Sequence, residues 1–234
     1  PRTDIFFDEE YISTLRDRYD EKYPELEGKK IILFAPTYRG NSLRKASYDL
    51  DKIDFEGLNE ILDEDHIVVF KWHPAMALAL KREGKEAFDH SKFNGRFVDL
   101  SDERDINDLL MIADILITDY SSVIFEYELL HKPVIYYWYD VDEYRNDRGF
   151  FYDLEEYVYG TVAYDFDQLL EALKKPQLCE EKRLGFHEKF MSACDGCSTK
   201  NVVDTIFLGK TKADDSGIDQ FDGLRLANLE HGRE

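Results

Sequence analysis

Polar residues in this chain concentrate directly behind its most apolar segments. Apolar runs at 30–36, 66–72 and 113–118 are followed at once by Thr37 and Arg39, by His73, and by Asp119, Ser121 and Ser122. Hydroxyl, imidazole and guanidinium groups can all donate hydrogen bonds to phosphate oxygens. Open α/β sheets bind ligands at the carboxyl ends of their strands. The spacing therefore predicts a phosphate-binding site at one edge of a sheet.

Each of these residues also has a plainer structural explanation. A loop arginine is usually only solvated, and an isolated histidine is commonly half buried and hydrogen bonded to the backbone. Asp119, Ser121 and Ser122 can cap the helix that follows them, although capping accounts for one such residue better than for a cluster. The functional alternatives are His73 as a donor to a phosphate oxygen, and a helix N-terminus at the serines that attracts an anion.

The segment from Ile112 to Tyr139 predicts the unit that positions this cluster. Residues 113–118 are apolar throughout, as in a strand buried on both faces, and residues 123–130 have apolar side chains at helical spacing. Pro133 then opens a second apolar run at 134–139. This pattern predicts a βαβ unit with its polar turn at the carboxyl edge of the sheet.

The rest of the chain repeats the alternation of strands and helices. Further strands are predicted at 30–36, 66–72, 96–100 and 161–164, and helices at 9–19, 55–62, 76–88, 105–112, 165–173, 178–191 and 199–208. Residues 140–160 read as a long ordered loop with a helical turn. Alternation of this kind predicts an α/β fold with a Rossmann-like parallel sheet and helices on both faces.

Composition narrows the possible functions. The 234 residues carry a formal net charge of −20, which argues against sequence-independent binding of nucleic acid and against electrostatic docking to an anionic membrane. No 18-residue apolar run and no signal peptide are present. Three cysteines do not make a disulfide framework and favour a reducing compartment. Cys194 and Cys197 form a C-x-x-C pair, but without a second pair it is a weak signal for zinc or redox chemistry.

Five segments together resemble the CDP-glycerol glycerophosphotransferase family, the teichoic acid polyol-phosphate transferases. They are PRTDIFF at 1–7, LFAPTYRG at 33–40, KWHPAM at 71–76, DILITDYSSVIFEYELLHKPVIYY at 114–137 and YDVDEYRNDRGFFYDLEE at 139–156. They occur in the family's order and spacing and cover most of residues 1–208, and the 114–156 block is the most specific.

The resemblance implies the C-terminal, donor-binding half of a GT-B fold. We expect a linker and lead-in helix at 1–22 from an absent first domain, a nucleotide-donor domain at 23–208, and a loosely structured tail at 209–234. The implied reaction moves glycerol-phosphate or ribitol-phosphate from a CDP-polyol to a hydroxyl of a lipid-linked acceptor and releases CMP. The family's proposed general base belongs to the absent domain, so the isolated chain is expected to be incomplete as an enzyme.

The same resemblance implies roles for nine residues. His73 is the expected catalytic residue, and the expected substrate-binding residues are Thr37, Arg39, Asp119, Ser121, Ser122, Glu126, Asp195 and Thr199. His73 is placed at the pyrophosphate, and Ser121 and Ser122 in the phosphate-binding turn. Asp119 and Glu126 are placed near that turn and the ribose. No metal ligands and no cofactor are expected, because the chemistry can use protein donors.

Arg39 resembles a donor to phosphate or to the polyol. Asp195 and Thr199 fall in a segment similar to the family's DG-x-A-S-x-R motif, at the start of a late helix. Asn201 stands where the family usually has arginine, and 159–161 replaces a Gly-Pro-rich turn. These departures bear on the donor that is bound and leave the fold unaffected.

Two other functions remain open at this point. The chain could be a cytidine-nucleotide-binding module without catalysis, or a GT-B glycosyltransferase domain that uses a UDP- or GDP-sugar. The expected partners are the CDP-polyol, the lipid-linked acceptor and the first domain, with a homo-oligomer left open. The resemblance implies a cytoplasmic protein, peripheral on the inner face of the membrane.

Overall fold

A six-stranded sheet forms the centre of the molecule. A computed structural model describes residues 2–89, 92–93 and 95–210. The strands are β1 (Lys30–Phe34), β2 (His66–Phe70), β3 (Phe97–Asp99), β4 (Ile115–Thr118), β5 (Val134–Tyr137) and β6 (Thr161–Ala163). All neighbouring strands pair in parallel, in the order β3-β2-β1-β4-β5-β6. The predicted Rossmann-like parallel sheet is therefore confirmed.

Helices connect the strands and cover both faces of the sheet. They are α1 (Glu9–Lys22), α2 (Phe55–Ile61), α3 (Pro74–Glu83), α4 (Ile106–Ile112), α5 (Val123–Glu128), α6 (Val141–Asp147), α7 (Phe166–Lys174), α8 (Glu180–Phe186) and α9 (Ser198–Val202). Short π-helical turns at His187–Met191 and Val203–Phe207 continue α8 and α9. None of the described helices is long and apolar enough to cross a membrane.

The strands are apolar because both faces of the sheet are buried. Ile31 and Leu33 of β1 belong to one hydrophobic cluster, and Ile32 and Phe34 to the cluster on the opposite face. A strand buried on both faces needs a continuous apolar run in place of an alternating one. This is why the runs were readable in the sequence.

The strand order creates a crevice between β1 and β4. The chain winds from β1 towards β3 on one side of the sheet and from β4 towards β6 on the other. Connections on the two sides cross over in opposite directions, so the carboxyl ends of β1 and β4 are left open as the ligand site of such folds. Thr37, Asp119, Ser121 and Ser122 follow these two strands, and His73 follows the neighbouring strand β2.

Two predicted segments differ from the structure by more than a few residues. The helix predicted at 76–88 ends at Glu83, because Gly84 adopts φ 62 and closes the helix in the left-handed region. The loop predicted at 140–160 contains α6 as well as a 3₁₀ turn at Leu154–Tyr157.

The lead-in segment packs on the domain that follows it. Phe6, Leu15 and Tyr19 belong to the same hydrophobic cluster as the first face of the sheet. Residues 4–22 thus share a core with the donor domain predicted at 23–208. The tail predicted at 209–234 falls outside the described residues apart from 209 and 210.

Candidate functional site

A cavity of about 710 Å³ opens at the crevice between the carboxyl ends of β1 and β4. Its polar lining consists of Thr37, His73, Asp119, Ser121, Ser122 and Arg148. Its aromatic lining consists of Tyr38, Tyr120, Phe125, Tyr136, Trp138, Tyr144, Phe150, Phe151 and Tyr152. Five of the nine predicted site residues therefore meet in one place. The aromatic side offers flat apolar surface beside the hydroxyl and imidazole donors.

His73 presents one ring nitrogen to the cavity. The other, Nδ1, accepts a hydrogen bond from the Ala75 backbone N–H at 3.2 Å and caps α3. Burial lowers the pKa of His73, and the charges of Lys71 and Arg148 lower it further. A neutral ring that accepts at Nδ1 must carry its proton on Nε2, so His73 is a donor there. His73 thus caps a helix, as the structural explanation predicts, and its role as a donor to a phosphate oxygen stays a prediction.

The two serines use little of their hydrogen-bonding capacity within the fold. Ser121 Oγ is 3.5 Å from the Val123 backbone nitrogen, at the limit of a hydrogen bond, and Ser122 makes no capping bond with its side chain. Helix capping therefore explains little of this pair. Both hydroxyls remain available to a ligand in the cavity.

Asp119 connects the loop after β1 with the turn after β4 that carries Ser121 and Ser122. Its side chain is buried, and one carboxylate oxygen accepts from the backbone nitrogens of Thr37 at 2.8 Å and Tyr120 at 2.6 Å. The other oxygen pairs with Arg39 Nη1 at 2.9 Å. Asp119 thereby ties the loop after β1 to the turn after β4, and its oxygens are already occupied.

Arg39 lies behind the cavity, against our expectation of a direct phosphate donor. It pairs with Asp140 through both Nε and Nη2, at 2.5 and 2.9 Å, and with Asp119 through Nη1. Four tyrosine rings surround it at 5.2 to 5.5 Å, those of Tyr48, Tyr120, Tyr139 and Tyr144. With its donors directed to carboxylates, Arg39 positions the site instead of lining it.

Burial and neighbouring charges have opposite effects on the pKa values of Arg39 and Asp119. Burial works against the charge on Arg39, but the hydrogen bond to Asp140 and the charge of Asp119 outweigh it and raise the Arg39 pKa. Burial raises the pKa of Asp119, and the charge of Arg39 only partly offsets this. The charge of Arg39 therefore favours the ionised form of Asp119, against the effect of burial.

The remaining three predicted residues lie outside the cavity. Glu126 forms an ion pair with Arg2 at 3.4 Å, and Asp195 accepts from the Cys197 backbone nitrogen at 2.9 Å. The backbone nitrogen and hydroxyl of Thr199 both donate to Asp4 at 2.7 Å. The start of α9 therefore holds a carboxylate of the same chain, where we expected a substrate phosphate.

The contact of Asp4 with α9 predicts a pH-dependent anchor. Hydrogen bonds from Thr199 and Ser198 hold the pKa of Asp4 well below its usual range. Because the folded pKa is lowered, the contact stabilises the fold at any pH above the unfolded Asp pKa of about 3.9. This stabilisation is lost as the pH falls through the pKa of the folded state. We expect Asp4→Asn to speed amide exchange at Ser198 and Thr199 at neutral pH.

Hydrogen exchange read out by NMR tests this anchor. Asp8→Asn is the matched control, because Asp8 caps α1 by accepting from Tyr11 and does not contact α9. Exchange at 198–199 that is the same in Asp4→Asn and in the parent would contradict the anchor.

Sequence reasoning missed Arg148 and most of the aromatic wall. Tyr120 stacks on Tyr144 with ring centroids 4.0 Å apart, and Tyr144 stacks on Phe150 at 5.5 Å. Arg148 and Phe150 fall in the segment we predicted as a loop, where no periodicity indicates a direction. The one feature of the sequence that could have indicated this wall is the high density of aromatic residues in the otherwise polar segment 140–160.

Comparison with known proteins places this geometry in a family. Residues 1–208 match the family described as CDP-Glycerol:Poly(glycerophosphate) glycerophosphotransferase. The chain belongs to this family. The match spans both the cavity and the elements that carry the residues outside it.

Curated members of the family give the same result. The chain is 41% identical over 206 residues to the teichoic acid poly(ribitol-phosphate) polymerase of Bacillus spizizenii, covering 88% of this chain and 32% of that protein. It is 38% identical over 210 residues to the teichoic acid ribitol-phosphate polymerase TarK of Staphylococcus aureus, covering 88% and 39%. The chain therefore spans about a third of the length of these relatives.

A solved family member has the same fold. The wall teichoic acid polymerase TagF superposes with a TM-score of 0.70 at 30% identity, over 89% of this chain and 50% of that chain. A TagF variant has also been soaked with CDPG. The match to half of TagF agrees with the predicted half of a GT-B fold.

Proposed function

We propose that this chain is the donor-binding part of a polyol-phosphate transferase. It would bind a CDP-polyol while glycerol-phosphate or ribitol-phosphate passes to a hydroxyl of a lipid-linked acceptor, with release of CMP. The observation that carries the proposal is the cavity at the β1–β4 crevice, where the His73 donor and two unengaged serines meet an aromatic wall. Family membership over residues 1–208 supports it.

The residues of the cavity can stabilise CMP as the leaving group of this reaction. The acceptor oxygen forms a bond to the phosphorus that carries the polyol, and the bond from that phosphorus to the bridging oxygen breaks. The electron pair leaves with CMP, so negative charge grows on its phosphate. His73 Nε2–H and the serine hydroxyls can donate to those oxygens, and such preorganised donors stabilise developing charge. The proton of the acceptor hydroxyl goes to a base that we assign to the expected first domain.

The relatives favour one polyol as the first to test. The teichoic acid polymerases of Bacillus spizizenii and Staphylococcus aureus described above are named for ribitol-phosphate. We therefore propose CDP-ribitol as the preferred donor, with CDP-glycerol second. Peripheral attachment to the inner face of the membrane, where a lipid-linked acceptor is found, belongs to the same proposal.

The serine pair provides the test of donor binding. Ser121→Ala combined with Ser122→Ala is expected to weaken CDP-ribitol binding by about 1–3 kcal/mol, because each lost hydroxyl leaves a phosphate oxygen without a donor. Calorimetric titration with CDP-ribitol, CDP-glycerol, UDP-glucose and CMP measures it. Ser192→Ala is the control, since Ser192 is exposed and does not line the cavity.

The competing functions give different titrations. Selective binding of UDP-glucose would replace the proposal with a glycosyltransferase domain. Binding of CMP and CDP-polyols with no turnover in the full protein would indicate a nucleotide-binding module. Unchanged CDP-ribitol affinity in the serine variant would return Ser121 and Ser122 to the capping explanation.

A further inference from the structure

One residue of the cavity lining carries a positive charge that could neutralise a pyrophosphate. Both phosphates of a nucleoside diphosphate ester are negatively charged, and the chain itself has a net charge of −20. Among the described lining residues, the Asp119 carboxyl group is paired with Arg39, and the lowered pKa of His73 favours its neutral form. Arg148 is the one permanent cation in that lining.

Arg148 is also free of the carboxylates that occupy the other arginines nearby. Arg39 pairs with Asp119 and Asp140, and Arg145 pairs with Asp142 at 3.0 Å. Within residues 2–89, 92–93 and 95–210, no carboxylate forms an ion pair with Arg148. A cation left without a counter-ion beside an anion-binding cavity keeps its charge for the ligand.

Arg148 and His73 both contact the ring of Tyr38. Its guanidinium carbon lies 4.6 Å from the centre of the Tyr38 ring, and the His73 ring centre lies 4.6 Å from the same point. Nη2 donates to the Gly40 carbonyl, and the side chain also hydrogen bonds to Tyr144. A guanidinium has five N–H donors, so others remain for a ligand.

We propose that Arg148, which contacts the same Tyr38 ring as His73, binds the pyrophosphate of the donor. This rests on the function proposed above and adds to it a cation that lines the cavity, which Arg39 does not. Arginine presents a planar fork of donors that fits phosphate oxygens in pairs. Arg148 thus takes the phosphate contact that the sequence suggested for Arg39, while Arg39 holds the turn from behind.

A purely structural role for Arg148 makes a different prediction. Through Gly40 and Tyr38 the side chain also joins the end of α6 to the loop after β1. If this contact were its whole function, its loss would loosen the cavity and weaken every ligand alike. If Arg148 instead contacts phosphate, its loss weakens the binding of each ligand in proportion to the number of phosphates that the ligand carries.

Titration of the full protein with a graded set of ligands tests the proposal. The probes are CDP-ribitol, CDP-glycerol, UDP-glucose, CMP, cytidine and inorganic pyrophosphate. Arg148→Ala is expected to raise the Kd of the diphosphate compounds by about 10- to 100-fold, since a charge-assisted hydrogen bond is the stronger kind. The Kd of cytidine should change by less than about twofold. Arg148→Lys should recover part of the loss, because a lysine keeps the charge and loses the fork.

Arg145→Ala is the matched control from the same helix. Arg145 is exposed, pairs with Asp142 and does not line the cavity, so its loss should leave every Kd unchanged. Equal loss for cytidine and for CDP-ribitol in Arg148→Ala would overturn the proposal, as would unchanged CDP-ribitol affinity. Arg148-dependent binding of UDP-glucose without CDP-polyols would uphold Arg148 and refute the proposed donor. A parent protein that binds none of the diphosphates would refute both.

Discussion

Replacing His73 with alanine is expected to lower the kcat of the proposed polyol-phosphate transfer by about 10²–10³-fold, the usual cost of removing one preorganised donor from a transition state. Nδ1 is engaged by the Ala75 nitrogen, so Nε2–H is the group that the cavity loses. Steady-state assays with CDP-ribitol measure the change. KM should rise less than kcat falls, because charge on the departing phosphate grows only during the reaction.

The helix cap must be separated from the chemistry in this experiment. His73→Ala also removes the cap of α3, which costs about 0.5–2 kcal/mol of stability. His73→Asn restores a good capping residue but places no donor at the position of Nε2. We expect His73→Asn to fold like the parent and to be as slow as His73→Ala. A kcat close to that of the parent in both variants would remove His73 from the mechanism.

The main outline of the fold could be predicted from sequence because burial on both faces leaves a simple signal. Apolar runs such as residues 30–34 and 115–118 need no knowledge of their neighbours to be recognised as central strands. A polar residue directly after such a run must lie at the carboxyl edge. Thr37, His73, Asp119 and the two serines were found in this way, and they line the cavity.

The roles of the charged residues depended on partners far away in the chain. Arg39 and Asp140 are 101 positions apart, and Asp4 and Thr199 are 195 apart. Before such contacts are known, an arginine that binds a ligand and one that binds a carboxylate look the same. For this reason the sequence pointed to Arg39 as a phosphate donor and gave no role to Arg148. The same applies to Thr199, whose donors are satisfied within the chain.

Replacing Arg39 with methionine is expected to destabilise the fold by about 3–5 kcal/mol, because it leaves a buried carboxylate without its partner. Asp119 is only 2% exposed, and Asp140 loses both of its bonds to the guanidinium. Methionine keeps much of the apolar stem among the tyrosine rings, so the loss reports on charge more than on packing. Urea unfolding of the parent and of the variant measures the difference.

The pH dependence of the stability lost in Arg39→Met identifies the cause of that loss. Arg39 lowers the pKa of Asp119 against the effect of burial, so its removal raises that pKa further above the unfolded value. A carboxyl group whose pKa is raised on folding destabilises the fold increasingly as pH rises through the unfolded and then the folded value. Arg39→Met should therefore be closer to the parent at pH 5 than at pH 8. Asp119→Asn in the same background should remove this dependence.

An exposed ion pair on the neighbouring helix provides the control. Arg145→Met breaks a pair whose side chains are 55% and 84% exposed, and such pairs contribute within about 1 kcal/mol. An Arg39→Met protein as stable as Arg145→Met at pH 8 would show that Asp119 is neutral or hydrated in the folded state. The turn that carries Ser121 and Ser122 would then be held by the hydrogen bonds that Asp119 accepts from Thr37, Tyr120 and Trp138, without a contribution from the guanidinium.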